Sequence, residues 1–153
     1  MIASHIKTSF KGITKKMLTL ATLTLSINSH GEGYADIGYN KNLSVETVLQ
    51  VDGPLYMRAE VSKDLTSYGL GLGYDVNYFN VMATVDFVND SEFEYGLQAS
   101  YYDIGLSYFA ALDYSSENIG YRIGAGYSLN EGVSIITHYS DNGLFIGFRK
   151  WFN

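Results

Sequence analysis

The side chains of this 153-residue chain that could do chemistry are mostly charged and sit on one side of a two-residue alternation. They are Glu46, Arg58, Glu60, Asp86, Glu94, Arg122 and Arg149, joined by Gln98 and His138. Their spacing brings like charges together. A three-residue turn at 52–54 sets Glu46 opposite Glu60, and a symmetric loop at 88–92 sets Asp86 opposite Glu94. Like charges facing each other across a ladder repel. Each pair therefore calls for an arginine, a bound cation or a shared proton. Arg58 and Arg122 are the expected partners, and the plain reading is an interior salt-bridge network. A cation site or a cation-lined path is the sharper one. His138 and Ser140, two residues apart on one face, could act as base and nucleophile if an acid oriented the imidazole. Cysteine is absent, so no thiolate site or disulfide exists. No metal site and no cofactor is expected. Gly69-Leu-Gly-Leu-Gly73 has no helix after it and is read as a strand with a small inner face, not a dinucleotide loop.

The elements that must position these groups are strands. From Leu43 onward almost every second residue is apolar, as in Tyr68, Leu70, Leu72, Tyr74 and in Ile119, Tyr121, Ile123, Ala125, Tyr127. Period two makes one face polar and the other greasy. Turn signals divide the chain into runs at 34–40, 43–51, 55–62, 67–76, 79–87, 92–101, 103–112, 118–129, 132–140 and 143–152. Connections this short permit only antiparallel neighbours. The expected fold is all-β: a transmembrane up-and-down antiparallel β-barrel of about ten strands, or eight if runs merge.

Three features turn the greasy face toward lipid. It carries essentially no charge before Lys150, and charge near the bilayer midplane is costly there. Aromatics stand at the strand ends, among them Tyr68, Tyr74, Phe79, Phe87, Tyr121, Tyr127, Tyr139 and Phe152. This is the pattern of an interfacial girdle. The opposite face holds Gly69, Gly71, Gly73, Gly120, Gly124 and Gly126, which make room for long side chains inside a barrel. Bulky residues read as inward are Tyr78, Met82, Phe109, Ile136, Phe145 and Trp151, and these obstruct a wide channel. Strands of nine or ten residues, tilted by about 40°, cover roughly 25 Å of apolar height.

The N-terminus reads as a secretory signal over residues 1–31. Lys7, Lys11, Lys15 and Lys16 precede the apolar segment 17–27, and cleavage is expected between 28 and 35. The barrel domain is then 34–153. No acid precedes Glu32, so the remainder holds sixteen acids against six bases. That excess argues against nucleic acid as a partner.

Taken with this signal segment and the alternating runs, the ending Gly143-Leu-Phe-Ile-Gly-Phe-Arg-Lys-Trp-Phe-Asn153 resembles that of the small outer-membrane β-barrel proteins of Gram-negative bacteria, a short-loop, porin-like group. The resemblance implies an outer-membrane location, contact with outer-membrane lipids and lipopolysaccharide, and delivery by the barrel-assembly machinery through the last strand. Leu144, Ile146, Phe148 and Phe152 fit that strand; Asn153 after Phe152, and Lys150 on the apolar face, depart from it. The implied role is structural or accessory, with minor small-solute or cation passage. His138-Tyr139-Ser140 resembles the His-x-Ser of the lipid A deacylases, which implies an esterase as the alternative. That family's acid, about a dozen residues after its serine, falls here on Phe152. A secreted soluble barrel holding an apolar ligand is the remaining alternative.

Overall fold

The computed structural model describes residues 32–89 and 91–152, so the expected signal segment and Asn153 lie outside the described residues. Ten strands form: β1 (Gly33–Asn40), β2 (Asn42–Asp52), β3 (Leu55–Val61), β4 (Thr66–Val76), β5 (Phe79–Val88), β6 (Glu92–Asp103), β7 (Leu106–Tyr114), β8 (Ile119–Asn130), β9 (Val133–Ser140) and β10 (Gly143–Phe152). Each pairs antiparallel with the next, and β10 returns to β1, closing the barrel. The all-β, ten-stranded reading thus holds, and the eight-stranded alternative does not. Closure removes both sheet edges, which is the physical reason a meander of this length stops at a defined count.

The connections divide between two ends. One end carries tight turns at 53–54, 77–78, 104–105 and 131–132 together with the start of β1 and the end of β10. The other, here the loop end, carries Lys41, residues 89 and 91, and the segments 62–65, 115–118 and 141–142. Two placements differ from the sequence reading. The β6–β7 turn is Ile104-Gly105, beyond the break expected at 102: Gly105 adopts φ 76°, which a glycine takes without strain. β6 and β7 therefore end and begin later than expected. Tyr78 is not inside the barrel. It belongs to the β4–β5 turn, is exposed, and meets Tyr101 edge-on.

The alternation sorts side chains as expected from period two. Exposed apolar residues stand on the outer face of all ten strands, for example Ile37, Leu43, Met57, Leu70, Val81, Leu97, Leu112, Ile123, Ile135 and Ile146. Tyr68, Phe87 and Phe93 form an outer aromatic row near the loop end, and Phe79, Tyr101 and Tyr108 form one near the turn end. Lys150 lies two residues from the end of β10. Its Nζ rests 3.0 Å from the position of a Cβ on Gly132, so the amine reaches the turn-end rim rather than the middle of the apolar belt.

The turn-end half of the interior is filled. Tyr34, Val48 and Met82 form a buried cluster, with Tyr56 and Trp151 packed against it. Ile136 is 1 % exposed, and Phe109 is buried as well. Wall glycines make this packing possible. A Cβ on Gly73 would lie 2.6 Å from the Tyr56 ring, and one on Gly124 would lie 2.4 Å from Phe109. Small wall positions thus face large fillers, as dense packing of a narrow interior requires.

Candidate functional site

Above that filling, toward the loop end, lies a layer of ions. The β2–β3 register sets Glu46 opposite Glu60, and the β5–β6 register sets Asp86 opposite Glu94. Arg58 stands between the two pairs. Its Nε is 2.9 Å from Glu46 Oε1, its Nη1 2.8 Å from Asp86 Oδ2 and its Nη2 3.5 Å from Glu60 Oε2. Arg58 faces Gly69 across the β3–β4 ladder, and Gly69 in turn faces Asp86. The missing side chain at Gly69 leaves a gap through which the two charges meet. The burial of Arg58 and Asp86 is repaid only because the ions pair closely.

Arg122 is held more loosely. Nη1 is 3.4 Å from Glu46 Oε2, and Nε is 3.5 Å from Asp113 Oδ2. Asp113, just beyond the expected run 103–112, is an inward residue of β7. Arg149 belongs to a separate pair. Its Nε and Nη2 each donate to Asp36 at 2.7 Å. The same guanidinium lies over the Tyr34 ring at 3.8 Å. Asp36, like Asp113, was absent from the expected set, although it occupies the inward alternation with Tyr34 and Gly38.

The remaining expected residues take different places. Glu94 faces the cavity described below and has no ion pair or hydrogen bond among the described residues. Gln98 lies apart from the Arg58 layer and donates to Ser100 Oγ at 3.2 Å. His138 stacks on Phe145, with ring centroids 4.4 Å apart, and meets Phe109 edge-on. Ser140 serves its own turn: its Oγ accepts from Asn142 N at 3.2 Å and donates to Gly143 O at 3.4 Å. No hydrogen bond joins His138 to Ser140 among the described residues.

A cavity of about 400 Å³ opens at the loop end. Glu46, Arg58, Glu60, Asp113 and Arg122 line its lower part, and Asp64, Asp141 and Lys41 its rim. It is a charged vestibule, closed below by the ion layer and the filled half. No family model matches the chain, and no curated protein matches it.

Proposed function

We propose that the chain is an integral outer-membrane β-barrel with a closed interior, acting as a structural or accessory component of the envelope rather than as an enzyme or an open channel. The observation that carries this is the inverted distribution of side chains. Leu70, Leu72 and Ile123 on the outer wall are more than half exposed, while Asp86 inside is 0 % exposed. A water-soluble barrel places these the other way round, and an apolar surface of this extent in water aggregates. In a bilayer the same surface is solvated by acyl chains, and every strand hydrogen bond is satisfied within the closed sheet.

The aromatic rows at both ends and the rim position of Lys150 support the same reading, since ring and amine both suit the headgroup level. Outer-membrane lipids and lipopolysaccharide are then the surrounding partners, and β10 is the segment offered to the barrel-assembly machinery. The filled half of the interior supports a closed barrel over a pore, leaving small-solute or cation passage at most a leak. The engagement of the Ser140 hydroxyl in its turn supports a non-enzymatic role.

Membrane fractionation with an alkaline wash, read on an unboiled and a boiled gel, tests the proposal. It predicts retention in the outer-membrane fraction and faster migration of the unboiled folded form. Release with the soluble periplasm contradicts it.

A further inference from the structure

We infer that the outer wall of β2 and β3 is a docking surface for the chain's own N-terminal apolar segment, residues 17–27. The inference goes beyond the envelope role and holds for a barrel in lipid or in water. It starts from three side chains that break the pattern of the wall. Thr47, Leu49 and Val61 take outward positions in the alternation, since Glu46, Val48 and Glu60 beside them point inward. Yet they are 4 %, 5 % and 5 % exposed. Outward leucines on other strands, such as Leu72, Leu97 and Leu112, are more than half exposed. On the convex side of a barrel, outward side chains splay apart and ladder neighbours alone leave them open. What covers these three lies outside the barrel.

The covered patch has a shape that suits an added chain. The register sets Ala35 beside Thr47 and Thr47 beside Ala59. Three short side chains on adjacent strands make a shallow trough in the wall. Leu49 bounds it toward the turn end and Val61 toward the loop end.

Continuity of the chain names the occupant. Residues 17–27 lie outside the described residues, but the point where the chain enters the barrel is defined. Gln50 N donates to Glu32 O at 2.7 Å, and Gly33 pairs with Leu49. The chain thus arrives directly beside the patch. The five residues 28–32 span at most roughly 17 Å, and the wall from Leu49 to Val45 is about 13 Å long. The tether therefore reaches. Segment 17–27 carries no charge and alternates leucine with threonine and serine, which suits an apolar wall with one hydroxyl, that of Thr47. The burial arises within a single chain, which favours this segment over a second copy of the barrel. Docking and removal of residues 1–31 by cleavage exclude each other.

The test has two parts. Intact mass of the protein extracted from the envelope should show a chain that retains residues 17–27. In the full chain, which has no native cysteine, Leu49→Cys is then combined in turn with Leu20→Cys, Leu23→Cys and Leu25→Cys and oxidised, since a disulfide forms only between closely placed Cβ atoms. At least one pair should give an intramolecular disulfide at a yield at least tenfold above the same partner with Leu112→Cys on β7, while the unboiled-gel shift stays intact. Val61→Cys replaces Leu49→Cys should the latter fail to fold. The inference is overturned by a mature chain that begins between 28 and 35, by no disulfide above the Leu112→Cys level, or by disulfides that form only between two chains.

Discussion

Arg149 on the last strand grips Asp36 on the first through two hydrogen bonds of 2.7 Å, 113 positions apart in sequence. The two residues are direct neighbours in the β1–β10 ladder. The pair therefore sits on the seam that closes the barrel, and the Tyr34 ring under the guanidinium shields it. Removing one member leaves a buried charge uncompensated, at a cost of about 3–5 kcal/mol. Asp36→Asn and Arg149→Gln should each lower the urea midpoint, followed by the folded-form gel shift. Replacing both by leucine should cost less than either single change. An unchanged midpoint in both single variants would remove the pair from any role in closure.

The fit of filler to wall gives a sharper test. The three atoms nearest a Cβ at Gly73 all belong to the Tyr56 ring, so Gly73→Ala should destabilise by about 1–3 kcal/mol through overpacking. Adding Tyr56→Ala should recover part of that loss. Equal or greater destabilisation in the double variant would show that the clash lies elsewhere.

Planar-bilayer recording should give no unit conductance above leak for the native chain, because Met82 and Ile136 fill the section below the ion layer. Met82→Ala with Ile136→Ala removes filler at a cost of about 2–5 kcal/mol per site and should raise conductance. Stable channels from the native protein would refute the closed interior.

Lipid A from cells with and without the chain should show the same acyl pattern by mass spectrometry. Ser140→Ala should change nothing, since that hydroxyl is tied to Asn142 N and Gly143 O. Acyl loss that depends on Ser140 would restore the esterase.

How much of this could be read from the chain follows from the range of each signal. Period-two alternation is local, so the faces of Leu70, Ile123 and Arg58 were legible. The Glu46–Glu60 and Asp86–Glu94 pairings were legible too, because each spans a single short connection. Asp36 was not singled out, because its meaning comes from a partner on the strand that closes the ring. Asp113 was hidden at the head of the polar run 113–118, where side-chain type suggests loop while the backbone is still paired. The Ile104-Gly105 turn was missed because one glycine between apolar runs is a faint mark. Tyr78 was misplaced for a related reason: next to Asn77, whose φ is 58°, the chain leaves the ladder before the alternation shows it.

The orientation of the wall is the claim on which the account turns, and spin-label accessibility measures it most directly. The chain has no cysteine, so single labels can be placed at Leu72→Cys, Val81→Cys and Ile123→Cys in barrels refolded into phospholipid vesicles. The account predicts high relaxation by molecular oxygen and almost none by a water-soluble nickel chelate at all three positions. Strong relaxation by the chelate at these positions would mean that the apolar face meets water, and would contradict it.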